Sequence, residues 1–271
     1  MEKSTIISVK NIKKYYKLPR SHPFQRQQES IKAVDDVSFD IYKSETFGIV
    51  GESGSGKSTV ARLVNQLIRP TAGDIYYYDQ ELASANKAQL MDYRKQVQMV
   101  FQSPYGTLDP RKTIEFSLLE PFAIHNIGTT AERTQRVATL LDYVSLPKST
   151  LNKYPHEFSG GQLQRINIAR AISLEPELLI LDESVSALDV SVQAQILNLL
   201  NDLQEELGLT YLFISHDLNV VRYMCDRIAV MNQGKIVELN DAKEIYDNPQ
   251  ASYTRSLLSA IPISSPYLRT T

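Results

Sequence analysis

The chain has one cysteine, Cys225, among 271 residues. A single thiol can build neither an internal disulfide nor a thiolate metal cluster. The disulfide-stapled secreted scaffolds are therefore excluded and a reducing compartment is expected. Cys225 itself reads as a small buried hydrophobe. No stretch approaches the roughly 18 consecutive apolar residues that a membrane-spanning helix requires. The N-terminal run Ile6-Ile7-Ser8-Val9 is too short and too interrupted for a signal peptide. Charge of either sign is not in excess: 29 basic against 31 acidic residues leave a formal net charge of −2. That balance argues against nucleic acid as the main partner, and no block of like charges suggests a polybasic anchor. There is no internal repeat and no low-complexity segment. The expectation is a soluble protein of the cytoplasm whose membrane role, if any, runs through a partner.

With 42% hydrophobic and 22% charged residues, the chain is ordinary globular material, long enough to bury a real core. Alternating residues predict strands over Ile6–Val9 and Val34–Ile41, with an exposed polar loop over Lys17–Ile31 between them. Thr46–Val50 is a short apolar run ending at Gly51, and a helix pattern follows from Lys57. Strand, glycine-rich turn and helix open a βαβ unit. Helical spacing recurs over residues 131–144, Arg165–Leu174 and Ile196–Leu207, the last stopping at Gly208. Leu178–Leu181 and Thr210–Ser215 read as buried parallel strands. Ile228–Met231 and Lys235–Leu239 flank Asn232-Gln233-Gly234 as a hairpin. The class is α/β with a mainly parallel sheet. Residues 103–165, rich in helix and poor in strand, read as an insertion in it.

Residues 51–58 are Gly51-Glu52-Ser53-Gly54-Ser55-Gly56-Lys57-Ser58, the spacing of a phosphate-binding loop. Glycines let the backbone curl so that amide N–H groups face phosphate oxygens, and the following helix adds its positive end. Lys57 brings a full charge to the β- and γ-phosphates, and Ser58 offers its hydroxyl to Mg²⁺. Gly51, Ser53, Gly54, Ser55, Gly56, Lys57, Ser58 and Thr59 are the nucleotide-binding candidates. By itself this motif does not separate a kinase from a GTPase or a transport motor. Further on, Leu178-Leu179-Ile180-Leu181 runs into Asp182-Glu183. Adjacent side chains at a strand end take different directions, so Asp182 can serve the metal while Glu183 polarises a water as general base.

At 158–162 the chain reads Phe158-Ser159-Gly160-Gly161-Gln162, followed by Leu163-Gln164-Arg165. This resembles the signature of ATP-binding-cassette (ABC) ATPases, with Phe158 where leucine is usual. Gln102, after Met99-Val100-Phe101, looks like the family's glutamine loop. Ser186-Ala187-Leu188-Asp189 looks like the loop after the acidic pair, and His216, in Ile214-Ser215-His216-Asp217, like the switch histidine. Tyr16 lies where the family places an aromatic against adenine. The resemblance covers nearly the whole chain, and its motifs come in the family's order.

It implies a P-loop, RecA-like ATPase core with an N-terminal β-subdomain and an inserted helical subdomain. The ATPase domain would span 1–245, with the helical subdomain at about 103–165, and a C-terminal tail would follow at 246–271. ATP and Mg²⁺ are the implied cofactors, with Ser58, Gln102 and Asp182 toward the metal. Glu183, His216, Gln102 and Lys57 would carry catalysis. Ser159 and Gly161, with the start of the helix after them, would bind the γ-phosphate of ATP held by a second cassette, because one phosphate loop and one signature make two sites only in a pair; Gly160, Gln162 and Asp189 complete the implied nucleotide-binding set.

The stretches Ser103–Arg111, Asp182–Ser191 and Tyr253–Pro262 look like the oligopeptide/dipeptide/nickel importers of this family. That implies a heterodimer of ATPases, two membrane-spanning permeases and, indirectly, an extracellular binding protein, with the chain peripheral on the cytoplasmic membrane face. Some members carry a tail cysteine cluster that this chain lacks, so no iron–sulfur centre is expected. The importer-type tail disfavours an exporter, and a single cassette disfavours a non-transport ATPase. Cargo stays open between small peptides and nickel, cobalt or metallophore chelates.

Overall fold

The computed structural model describes residues 4–17 and 30–260. In chain order its elements are β1 (Thr5–Lys17), β2 (Ser30–Tyr42), β3 (Thr46–Val50), α1 (Lys57–Val64), β4 (Ala72–Tyr77), β5 (Gln80–Glu81), α2 (Lys87–Gln96) and β6 (Val97–Val100). Next come α3 (Ile114–Ile124), α4 (Thr130–Tyr143), α5 (Gly160–Ile172), β7 (Leu178–Asp182), α6 (Val190–Leu207), β8 (Thr210–Ser215) and α7 (Leu218–Met224). The described chain closes with β9 (Arg227–Asn232), β10 (Lys235–Asp241), α8 (Ala242–Asp247) and α9 (Ser252–Ser259).

The strands form two sheets. An antiparallel one runs β2-β1-β4-β5, and a six-stranded one runs β10-β9-β3-β8-β7-β6. In the second, β9, β3, β8, β7 and β6 pair in parallel, and β10 joins as an antiparallel hairpin partner of β9. Parallel strands covered on both faces need apolar side chains on both sides. β7 supplies them by alternation. Leu178 and Ile180 face the layer holding α1 and the antiparallel sheet, while Leu179 and Leu181 face the layer holding α3 to α6. All four are fully buried, each contributing about 1.5–3 kcal/mol of hydrophobic stabilisation. A charge at any of them would have no partner layer to hydrate it.

Local signals set the helix ends. Thr129 and Glu132 form a reciprocal capping box on α4, as do Asn86 and Gln89 on α2. Gly208, at φ 65, ends α6 in the left-handed conformation that glycine adopts without strain. Residues 103–165 contain helices and 3₁₀ turns and no strand. Their buried face (Ile114, Leu118, Phe122 and Leu141 among others) joins the same cluster as Leu179 and Leu181.

The parallel α/β class, the 210–215 strand and the β9–β10 hairpin are as the pattern indicates, and the strand expected over 178–181 runs one residue further, to Asp182. Some boundaries differ. The expected strand at Ile6–Val9 is only the start of β1, which continues through polar residues because backbone pairing to β2 and β4, with bulges, carries it on. Of the expected loop over Lys17–Ile31, Lys17, Ser30 and Ile31 belong to strands and the rest lies outside the described residues. The helix expected from Arg165 begins at Gly160, because Ser159 caps it there. The tail stretch ending at Pro262 is described only to residue 260.

Candidate functional site

Because β3, β6, β7 and β8 are parallel, their carboxyl ends share one edge, where ligands of open α/β sheets are met. The loop after β3, Gln102 after β6, Asp182-Glu183 at the end of β7 and His216 after β8 converge there. A cleft of about 380 Å³ on this edge is lined by Ser53, Gly54, Gly56, Lys57, Ser58, Thr59, Gln102 and Glu183, with Ile31, Lys32, Ala33 and Gln233.

The loop is tightly packed at its two ends, Gly51 and Gly56, while Gly54 between them faces open space. A Cβ on Gly56, which sits at φ 109, would lie 2.2 Å from the Ala33 carbonyl oxygen. No other residue fits there without moving backbone. The Lys57 ammonium is buried and donates to the carbonyls of Gly51 at 2.8 Å and Glu52 at 2.9 Å. Burial lowers its pKa, against the opposing pull of Glu183 and Asp182.

The parity of β7 positions the acidic pair. Asp182 continues the Leu178/Ile180 face toward α1, where it accepts from the Ser58 hydroxyl at 2.8 Å. Burial raises its pKa, moderated by that hydrogen bond. Glu183 leaves the strand at φ 47, its N–H still paired to the Ile214 carbonyl at 3.0 Å. The turn is pinned by the Ser186 N–H and hydroxyl, which both donate to the Glu183 carbonyl, at 3.1 and 2.9 Å. Its carboxylate thereby faces three groups: Gln102 Nε2 donating at 2.9 Å, Lys57 Nζ at 3.9 Å and His216 Nδ1 at 3.5 Å.

The predicted residues do not all meet in this cleft. Tyr16 pairs with Ile31, which lines the cleft, but is not itself among the lining residues. Ser159 and Gln162 are likewise outside it and bond each other in a capping box. Ser159 N–H donates to Gln162 Oε1 at 3.1 Å, and Gln162 N–H to Ser159 Oγ at 3.4 Å. A Cβ on Gly161 would meet Val192 Cγ1 at 2.4 Å, and one on Gly160 would touch Leu188 at 3.6 Å. The start of α5 therefore rests on the start of α6 and the turn before it. Asp189 caps α6 by accepting from the Val192 N–H at 3.0 Å and the Ser191 hydroxyl at 2.8 Å. Those bonds, the Val192 one foremost, lower its pKa. Beside it Val190 is 82% exposed.

Residues 34–186 match the ABC transporter family. The chain belongs to that family. This ABC ATPase is 52% identical to the oligopeptide transport ATP-binding protein AppF of Bacillus subtilis, over 96% of its own length and 79% of AppF. It is 49% identical to the oligopeptide transport ATP-binding protein OppF of the same organism, over 96% of the chain and 84% of OppF. Its fold is similar to the dimeric post-hydrolysis cassette MJ0796 bound to ADP and Pi. The TM-score is 0.76 at 30% identity, over 87% of this chain and 98% of that one. The cassette binds and hydrolyses ATP.

The cleft of this ABC ATPase fits a polyphosphate. The Ser55 hydroxyl is buried in the loop without a partner, a cost that a phosphate oxygen in contact would remove. Ser58, Asp182 and Gln102, the residues expected toward the metal, are of types that suit Mg²⁺ as well. No cluster of three His, Cys, Asp or Glu occurs among the described residues. A hydroxyl, one carboxylate and an amide leave the remaining positions of an octahedral ion to water and phosphate, as Mg²⁺ prefers.

Sequence reasoning missed part of the loop's support. The Gly234 N–H, at the β9–β10 hairpin tip, donates to the Ser55 carbonyl at 2.9 Å, and Gln233 lines the cleft. Asn232-Gln233-Gly234 signals a turn, but nothing local signals what the turn touches.

Proposed function

We propose that this ABC ATPase powers the import of small peptides, working at the cytoplasmic face of a membrane through permease partners. The observation that carries the reading is similarity over 96% of the chain to two oligopeptide transport ATP-binding proteins, in a chain whose Lys57, Gln102 and Glu183 share one cleft. No helix among the described residues is long and apolar enough to cross a membrane, so translocation falls to other subunits. These are two membrane-spanning permeases, supplied by an extracellular binding protein. The ATPase domain covers 1–245 with its helical subdomain at about 103–165, and 246–271 form the importer-type tail.

Lys57 and the amides of residues 53–59 hold the ATP phosphates, and Tyr16 stacks on adenine. Ser58, Asp182 and Gln102 would hold Mg²⁺, which when bound neutralises phosphate charge. Glu183 takes a proton from the attacking water, and His216 orients the γ-phosphate. Ser159, Gly160, Gly161 and Gln162, at the N-terminus of α5, meet the γ-phosphate of ATP held by a second cassette, with Asp189 beside them. Each pair thus makes two composite sites, and the importer-type stretches favour a related rather than identical partner. ATP binds the closed pair better than the open one, and that difference drives closure.

The test is uptake of a labelled tripeptide and of a labelled nickel chelate in cells carrying wild type or Glu183→Gln. Loss of tripeptide uptake alone is expected. Loss of nickel uptake alone would make the protein a metal-import motor instead. Pull-down of a second, different ATPase with the permeases is expected; a homodimer would overturn the mixed pair.

A further inference from the structure

We propose that Tyr253, in the C-terminal helix α9, is a positioning residue for the phosphate loop, linking the tail of the chain to nucleotide affinity. The proposal rests on the nucleotide-binding reading of that loop and deepens it. Across 201 positions of sequence, the Glu52 backbone N–H donates to the Tyr253 hydroxyl at 3.4 Å. The carbonyl of the same Glu52 accepts from Lys57 Nζ at 2.9 Å. One exposed loop residue is thus held on its amide side by the tail and on its carbonyl side by the lysine.

Helix α9 does not depend on this contact for its own place. Glu238 of β10 accepts the N–H groups of Gln250 at 2.8 Å and Ala251 at 3.0 Å, which lead into the helix. Arg255 bonds the carbonyls of Pro249 and Gln250. The ring of Tyr253 packs with Leu257 and Leu258 on the main core. Phenylalanine would satisfy that packing equally, so the hydroxyl serves the loop. β10 therefore reaches the phosphate loop twice. Its hairpin tip bonds Ser55 through Gly234, and the helix it anchors bonds Glu52. The same C-terminal segment meets the switch region, where the Tyr246 hydroxyl donates to the Leu218 carbonyl, two residues beyond His216.

A contact that favours the binding-ready loop raises ATP affinity, and by reciprocity ATP steadies the contact. Two measurements on the purified full-length chain test this. The first is calorimetric titration with MgATP of wild type, Tyr253→Phe and Tyr211→Phe. Tyr211 also loses a hydrogen bond, to the Leu200 carbonyl at 2.7 Å. It pairs with Thr46 at the far end of β3 from the loop, so its variant reports fold destabilisation alone.

Tyr253→Phe is expected to raise the ATP Kd about two- to threefold, the low end of the scale for one neutral hydrogen bond, as its 3.4 Å length warrants. In the assembled transporter the ATP KM should rise with it while kcat stays within about twofold, and Tyr211→Phe should leave Kd unchanged. The second measurement is amide hydrogen exchange over 250–258 in the wild type, which is expected to slow when MgATP is added. It decides the matter should Tyr253→Phe fail to fold. An unchanged Kd in Tyr253→Phe, an equal rise in Tyr211→Phe, or unaltered exchange would each overturn the proposal while leaving the nucleotide site intact. Failure of the wild type to bind MgATP would overturn the nucleotide site and this inference together.

Discussion

Glu183→Gln keeps the shape of the side chain and removes its charge. The amide still reaches Gln102 and His216, placed at 2.9 and 3.5 Å from the carboxylate, so the turn at φ 47 should persist. On the role proposed for Glu183, what is lost is proton acceptance from water. General-base catalysis contributes about 10²- to 10⁴-fold, or about 3 to 5 kcal/mol in the barrier. What is also lost is an anion 3.9 Å from the Lys57 ammonium. At an effective dielectric of about 20 that attraction is on the order of 4 kcal/mol before desolvation. It competes with the phosphates for the same lysine, and the carboxylate repels them. ATP affinity should therefore be equal to wild type or up to about tenfold tighter while kcat falls by at least a hundredfold. Phosphate release from the assembled transporter gives kcat, equilibrium dialysis with labelled ATP gives Kd, and size exclusion shows a pair that persists only with ATP. A kcat within threefold of wild type would remove Glu183 as the base. Loss of ATP binding would make it a binding group instead.

Three further outcomes follow from the geometry. Gly48→Ala places a methyl 2.7 Å from Cys225 Sγ and should cost about 1–3 kcal/mol, a fall of about 2–4 °C in Tm per kcal/mol; adding Cys225→Ala should recover part of it, and strict additivity would refute the contact. Asp182→Asn should abolish hydrolysis yet raise the Tm of the nucleotide-free chain at pH 7. The folded pKa of Asp182 is raised by burial above the unfolded value of 3.8, so its ionisation weighs against folding as pH climbs through and beyond that range. The gain should vanish as pH falls to 3.8 and below, and a gain independent of pH would refute the cause. Tyr16→Ala, at a side chain 42% exposed, should raise the ATP KM at least about fivefold with little change in Tm. Tyr15→Ala, whose hydroxyl donates to Asp35, should chiefly lower Tm.

The parts legible in the sequence are those whose physics is local. The phosphate loop lies within eight consecutive residues, and the acidic pair directly follows the run that makes β7 a buried strand. The capping box that starts α5 at Gly160 is equally local, yet helical periodicity shows only from Arg165, because two glycines leave no side chains to carry it. Helix α2 is hidden for another reason: Tyr93 is its one buried residue, so no apolar stripe marks it. β4 carries half-buried tyrosines that do not alternate cleanly with polar residues, and β5 is only two polar residues long. The contacts of Gly234 and Tyr253 with the phosphate loop join residues about 180 and 200 positions apart and depend on how β10 folds back, which no window of sequence contains.

The seat of α5 on α6 has a kinetic consequence. With Gly161 against Val192 and Gly160 against Leu188, the signature packs directly on the segment that follows Glu183. In the proposed pair the signature serves the ATP held opposite, whereas Glu183 serves the ATP held by this chain. Filling one site would then bear on the position of the base in the other, through contiguous packing. Hydrolysis by the assembled transporter should rise sigmoidally with ATP, with a Hill coefficient above one. Cutting Val192 back to alanine should push the curve toward a hyperbola.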